Sequence, residues 1–252
     1  MLLRSAARTH VGLRRQANED RYAVVPGLGL FLVADGMGGH KAGQVASQLA
    51  AEAATRAVET LQGASVSLAE RLRHAVACAN REIFQAAEAK AELAGRGTTF
   101  VAMLFGDDRL ALAHVGDSRA YLLRHGRLRG LTDDHSIVAE LLRRQAISEA
   151  AARAHPHRHV LTRALGVRPR IEPDLAEMTP QTGDVFVLCS DGLTTHVDDR
   201  EIAACLGEEA DLERAAERLV DAANRAGGVD NVTVLLIRVE REDGAEARLP
   251  LA

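Results

Sequence analysis

The chain has 252 residues, 47% of them hydrophobic, and a net charge of −4 with the two signs interspersed. That much apolar material supports a substantial core and excludes a disordered chain, and the lack of a basic balance or stripe argues against a nucleic-acid partner. Aromatic residues are 3% and Trp is absent, so the core must be built from Ala, Val, Leu and Ile. The three cysteines, Cys78, Cys189 and Cys205, fit no zinc spacing and read as reduced thiols of a cytoplasmic protein. The opening "MLLRSAARTHVGLRR" has no apolar signal region, and no apolar run is long enough to span a bilayer. A soluble, intracellular chain with no membrane partner is expected.

In chain order, Thr9 to Leu13 and Arg21 to Val25 have strand-like composition, and "GLFLVAD" reads as a buried strand. From Gly43 to Leu61 Ala, Val and Leu recur at three- and four-residue spacing, which predicts an amphipathic helix. A second helix is predicted over about Ser67 to Leu93. The stretch "TTFVAMLFGDDRLALAHVGDSRAYLLRHGRLRGL" predicts four strands in an antiparallel meander, with turns at "GDD", "GDS" and "RHG". A polar Ala- and His-rich segment, Asp133 to His159, follows with helical pieces. Then come a strand near Ile171 to Met178, another at "DVFVLCSD", two helices between Asp198 and Arg225, and a last strand "NVTVLLIRV". The tail after Glu240 is charged and expected to fray. The elements do not alternate as in a doubly wound parallel sheet. The reading is one α+β domain whose antiparallel sheets pack on each other and under helices.

Five acids stand where buried strands meet turns. Asp35 ends "GLFLVAD", Asp117 ends "LALAHVGD", Asp191 ends "VFVLCSD", Asp230 precedes "NVTVLLI", and Asp20 precedes "RYAVV". Each alone is ordinary turn chemistry. Brought together, they would repel at a cost of several kcal/mol unless a cation neutralised them. An all-oxygen set without His or Cys selects Mg2+ or Mn2+. The glycines of "DGMGGHKAG" fit neither a phosphate-binding P-loop nor a dinucleotide fingerprint, since Lys41 stands where the latter needs Gly.

The motifs "GLRRQANED", "VADGMGGHKAGQVAS", "GTTFVA", "HVGDSRAYLLRHGRL", "LTDDHS", "LTRALG", "GDVFVLCSDGLT" and "GGVDNVTVLLI" occur in the order found in bacterial members of the PP2C (PPM) family. The chain resembles these metal-dependent protein serine/threonine phosphatases over roughly residues 5 to 240. The resemblance implies an α-β-β-α sandwich of two packed antiparallel sheets flanked by helices, spanning 1–252 as a single domain. It implies two cations, Mn2+ or Mg2+, and a site for a third. Asp35 would bridge two metals, the Gly36 carbonyl would bind one, Asp191 and Asp230 would complete the other, and Asp117 with Asp191 would hold the third. Glu19 and Asp20 match the acidic pair that supports the centre, mostly through water. Arg15 stands where the family places its phosphate-binding arginine, with Arg14 an exposed bystander. A water activated between two cations would attack phosphorus in line, with no phosphoenzyme, and Arg15 can grip two phosphoryl oxygens in a fork.

Met37 occupies the position where animal members carry a proton-donating His. Bacterial members have a His further on, here His40, for which a proton-transfer role and a loop-structuring role stay open. The cluster "HPHRH" (His155, His157, His159) reads as an exposed polar stretch rather than a metal site. The region 141–159 resembles the mobile flap beside the family's active site. Cys189 lacks the Cys-x5-Arg loop of a thiol phosphatase and reads as a small buried apolar residue. Ser118 reads as a turn residue, not a nucleophile. The expected activity is metal-dependent dephosphorylation of phosphoserine and phosphothreonine proteins by a monomer that opposes a cognate kinase. The alternatives are a silent module that binds phosphoproteins or a kinase, and a hydrolase of small phosphate esters.

Overall fold

A computed structural model describes residues 1–38, 41–89 and 95–241, with no side-chain description for Lys41 and Arg153. His40 and the tail from 242 onward lie outside the described residues. In chain order the strands are β1 (Leu2–His10), β2 (Asp20–Val25), β3 (Leu30–Met37), β4 (Gly97–Thr98), β5 (Phe100–Phe105), β6 (Leu110–Val115), β7 (Arg119–Arg124), β8 (Arg127–Gly130), β9 (Asp174–Met178), β10 (Val185–Cys189) and β11 (Val232–Glu240). The helices are α1 (Lys41–Thr60), α2 (Leu68–Ala89), α3 (Ile137–Arg143), α4 (Glu149–Arg153), α5 (Asp191–Thr194), α6 (Asp199–Glu208) and α7 (Leu212–Arg225).

The strands form two sheets, in the orders β1-β11-β10-β7-β8 and β2-β3-β5-β6-β9, with β4 paired to the end of β3. Every pairing is antiparallel. Helices α1 and α2 cover the second sheet, and α6 and α7 cover the first. This is the expected α-β-β-α sandwich.

Three apolar layers explain why the central strands read as unbroken hydrophobic runs. Leu30, Leu32 and Ala34 of β3 face α1 and α2, while Phe31 and Val33 face the other sheet. Strands β5, β10 and β11 alternate the same way, so both faces of each are buried. The scarce aromatics concentrate between the sheets. Phe105 stacks edge-on with Phe31 and with Phe186, at 5.6 Å for each pair of centroids. Under the helices the residues are small: Ala46, Ala50, Ala53, Ala54 and Ala57 of α1 let it lie close to the sheet. Helix α7 buries Leu212, Ala215, Ala216, Leu219, Val220 and Ala223 at helical spacing, and Asp211 caps its first turn by accepting from the Arg214 N–H at 3.0 Å. One fully buried side chain such as Leu219 contributes about 2 kcal/mol.

The predicted four-stranded meander is corrected by the structure. Strands β5 and β6 pair in one sheet, and β7 and β8 pair in the other. Only "GDD" and "RHG" are hairpin turns; at the second, His125 and Gly126 both have positive φ (51° and 72°), which suits a tight two-residue turn. The "GDS" segment, Gly116-Asp117-Ser118, instead carries the chain across from one sheet to the other. Alternation cannot reveal this, because Leu112 of β6 and Leu122 of β7 face the same inter-sheet layer from opposite sides. The first strand also differs: it spans Leu2–His10 and pairs along its whole length with β11, ending before the predicted Leu13.

Candidate metal centre and its supporting loops

The five acids converge at one end of the sandwich, where strands of both sheets stop or bend. Asp35 lies within β3, two residues before its end, and faces Asp20, the first residue of β2, across the pair. Asp117 lies in the crossing between β6 and β7. Asp191 opens α5 directly after β10, and Asp230 stands two residues before β11. Asp20 is buried, while the other four are half-buried.

Main-chain and hydroxyl contacts fix these positions. The Asp35 N–H donates to Thr99 Oγ1 at 2.9 Å, and the Asp35 carbonyl accepts from Thr98 Oγ1 at 2.8 Å and the Thr99 N–H at 2.9 Å. Thr99 Oγ1 also bonds Ser118 Oγ at 2.6 Å, which ties the Asp35 strand to the crossing that carries Asp117. Ser118 is wholly buried in this contact, so it is a structural hydroxyl as expected. Asp20 Oδ2 accepts from Ser190 Oγ and Thr233 Oγ1, each at 2.7 Å, and so links the two sheets beneath the cluster. Two glycines permit the close approach. A Cβ on Gly36 would lie 2.2 Å from the Gly43 carbonyl oxygen, and one on Gly192 would lie 1.9 Å from that of Asn231.

Electrostatically the cluster is frustrated. Burial raises the Asp35 carboxyl well above its ordinary value, and the charges of Asp20, Asp191, Asp117 and Asp230 raise it further. Asp117 is raised by burial, then by Asp191 and Asp134, against the opposing pull of Arg119. Asp191 is raised by burial and by Asp230, with a hydrogen bond to Asp35 offsetting part of this. Asp20 is pushed up to about 6, by burial first, although its two hydroxyl donors favour the charged form. Its other oxygen, Oδ1, is buried without a hydrogen-bond partner. Several half-buried carboxylates, an orphaned buried oxygen and a backbone carbonyl from Gly36 together fit hard divalent cations. Asp35, Asp191, Asp230, Asp117 and Gly36 are the residues able to hold them.

Arg15 lies at the rim. Its Nη2 donates to Asp230 Oδ2 at 2.7 Å, and this bond holds the guanidinium above its ordinary value. Arg14 beside it is exposed. Asn231 holds the loop between β1 and β2 that carries Arg15. Its Nδ2 donates to the Val11 and Ala17 carbonyls at 2.9 Å each, and its Oδ1 accepts from the Glu19 N–H at 2.7 Å. Ser47 Oγ of α1 donates to the Glu19 carbonyl from the other side. Asn231, Ser190, Thr233 and Thr99 escaped the sequence reading. The available signal was a polar residue inside or beside an apolar strand, as in "VFVLCSD" and "DNVTVLLI". Replacing Asn231 with Ala strands three half-buried polar groups, the Val11 and Ala17 carbonyls and the Glu19 N–H. It is expected to cost about 3 kcal/mol in urea denaturation and to raise KM through a loosened Arg15; unchanged stability would show that the loop stands without it.

Among the described His, Cys, Asp and Glu side chains, one group of three has ligand atoms all within 4.8 Å of one another, His114, His135 and Asp174, whereas no three of the five acids come that close. It is poorly suited to a cation. The Gly116 N–H donates to His135 Nδ1 at 3.1 Å, so Nε2 carries the ring proton and faces Asp174 Oδ2 at 3.1 Å. Arg163 grips both oxygens of Asp174, at 2.6 and 3.3 Å. The segment after β8 leaves and returns beside this group: Thr162 N donates to the His135 carbonyl at 2.8 Å, and Ile137 N to that of Val160 at 3.0 Å. The excursion between holds α3, α4 and "HPHRH". His157 and His159 are exposed, as expected, while His155 is half-buried; His159 lies within electrostatic reach of Asp191, so this end of the excursion is on the side of the acids. Cys189 is fully buried, and burial pushes its thiol up to about 12, which removes it as a nucleophile.

A two-sheet sandwich with helices outside and acids gathered at one end is the arrangement that the resemblance to metal-dependent phosphatases implies. The chain belongs to the protein phosphatase 2C family, whose model matches residues 16–232. It is 41% identical over 235 residues to the serine/threonine phosphatase stp of Listeria monocytogenes, covering 91% of this chain and 93% of stp. It is similar to the crystal structure of the Mycobacterium tuberculosis serine/threonine phosphatase PstP/Ppp, with TM-score 0.89 and 40% identity over 96% of this chain and all of that one. It is also similar to the PstP catalytic domain in complex with two manganese ions, with TM-score 0.86 and 39% identity over 95% of this chain and 99% of that one.

Proposed function

We infer that the chain hydrolyses phosphoserine and phosphothreonine esters of proteins with Mn2+ or Mg2+ held by Asp35, Gly36, Asp191 and Asp230, and a third ion by Asp117 and Asp191. The convergence of these acids from both sheets, with Arg15 beside them, carries the reading. When bound, the cations supply an activated water and positive charge opposite the phosphoryl oxygens. The chain's own residues do the rest. Arg15 presents a planar fork that matches two phosphoryl oxygens. Asn231 holds the loop that aims it. Asp20, fixed by Ser190 and Thr233, keeps its second oxygen without a hydrogen-bond partner, and Glu19 precedes it as a second acidic support. Retention of Arg15 and every ligand acid disfavours a silent binding module. Hydrolysis of an aryl phosphate that appears with Mn2+ and disappears on chelation tests the reading.

The enzyme acts as a cytoplasmic monomer opposite a serine/threonine kinase. Three unpaired cysteines suit a reducing compartment, and among the described residues no helix is long and apolar enough to cross a membrane. The segment 141–159 serves as a flap that ranks protein substrates. Exchanging it for a relative's segment is expected to reorder phosphoprotein preference and to leave aryl-phosphate hydrolysis within about twofold; a parallel loss of both activities would contradict the flap role.

A further inference from the structure

Two loops meet at the rim of the centre. The Leu13 N–H donates to the Gly228 carbonyl at 2.7 Å, and Asn231 clamps the same pair of loops through Val11 and Ala17. One loop carries Arg15 and the other Asp230, and these two are bonded at 2.7 Å. Each loop also exposes an apolar side chain next to its functional residue. Leu13 is 63% exposed and Val229 is 45% exposed. Single exposed apolar residues are common and need no explanation. Here two come from distant parts of the chain and are brought to one rim by a main-chain hydrogen bond. Leu13 is also seated, since a Cβ on Gly228 would come within 2.7 Å of its Cγ. Leu13 thus lies against the neighbouring loop on one side and leaves most of its apolar surface exposed.

We propose that Leu13 and Val229 form an apolar step that receives an uncharged aliphatic side chain of the substrate, one or two residues from the phosphorylated Ser or Thr. The proposal rests on the phosphatase reading above. With the phosphoryl group in the grip of Arg15, an extended substrate advances about 3.3 Å per residue. Leu13 is two residues from Arg15 and Val229 one residue from Asp230, so both lie within the span of one or two substrate residues. An aliphatic side chain there removes both its own surface and that of Leu13 from water, whereas a serine removes little apolar area. A partly covered Leu corresponds to a preference of about five- to tenfold.

The test uses the full chain with Mn2+ and phosphothreonine peptides that differ only by Leu or Ser, placed in turn at the two positions on either side. An aryl phosphate is run in parallel. At one position the Leu peptide is expected to show kcat/KM about fivefold higher, carried by KM. Leu13→Ser and Val229→Thr should each erase most of that preference and leave aryl-phosphate hydrolysis and the circular dichroism spectrum unchanged. Absence of a Leu preference at every position, or its survival in both variants, overturns the proposal. So does an equal loss of peptide and aryl-phosphate turnover in Leu13→Ser, which would mark Leu13 as a support for the Arg15 loop. If the unmodified chain hydrolyses neither substrate with Mn2+, the phosphatase reading itself falls, and the proposal with it.

Discussion

Replacing Asp191 with Asn is expected to lower Mn2+-dependent hydrolysis about a thousandfold while making the metal-free chain harder to unfold. The two effects have one cause. Asp191 is forced up by burial and by Asp230, and its charge in turn raises Asp35, so in the metal-free chain its charge is a liability even with the hydrogen bond to Asp35. A neutral, nearly isosteric amide removes that repulsion. The same amide withdraws a charged ligand from the cations, whose stabilisation of the transition state is worth several kcal/mol, or about three decades in rate. Saturating Mn2+ should reverse the stability order, because only the unmodified chain gains the full binding free energy. Urea denaturation with and without Mn2+, alongside the rate, checks both halves. A variant that is slow but not more stable without metal would show that the acids are not in mutual strain.

The same strain sets a pH dependence for the metal-free protein. Asp20 titrates at about 6 in the folded chain, above its ordinary 3.8. The folded state therefore holds a proton that the unfolded state has lost between these values. Stability is greatest below about 4 on this account and falls as pH rises through about 6. Cation binding, which favours the charged acids, should flatten or invert that slope.

Replacing Arg15 with Ala is the second large effect, an expected loss of about a hundredfold in kcat/KM. A charge-assisted contact with a phosphoryl group is worth up to about 3 kcal/mol, which is two decades. The loss should fall on the aryl phosphate and the phosphopeptide alike, because both carry the group that Arg15 grips. Arg15→Lys should recover only part of it, since an ammonium cannot reproduce the fork. Metal binding separates this variant from Asp191→Asn. Arg15 occupies one oxygen of Asp230 at 2.7 Å, so its removal frees that ligand and should not weaken Mn2+ binding. Loss of Mn2+ binding in Arg15→Ala would assign the residue to the architecture of the centre instead of to the substrate.

Element type was legible wherever a physical period was strong. The helical repeat of Ala, Val and Leu placed α1 within a residue or two, and the apolar runs located β3, β5, β6, β10 and β11. Sheet membership was not legible. Strands buried on both faces carry no mark of which neighbour they join, so the Gly116–Ser118 crossing passed for a hairpin turn. The acids were visible because a carboxylate between an apolar run and a glycine is conspicuous. Their supports were not. Thr233 and Ser190 look like ordinary strand residues until the two sheets bring their hydroxyls onto Asp20. Asn231 reads as a turn residue until its amide is seen to span Val11, Ala17 and Glu19. His159 lay in a stretch whose histidines read as polar surface, although the resemblance set the segment 141–159 beside the site; the return of the excursion toward β9 brings His159 within electrostatic reach of Asp191.

Equilibrium titration with Mn2+, followed by electron paramagnetic resonance of the free ion, weighs most directly on the claim that these acids form a cation site. The metal-stripped chain should take up at least two ions, and Asp35→Asn or Asp191→Asn should lose one or more of them. Uptake of none, or the same uptake in both variants, would contradict it.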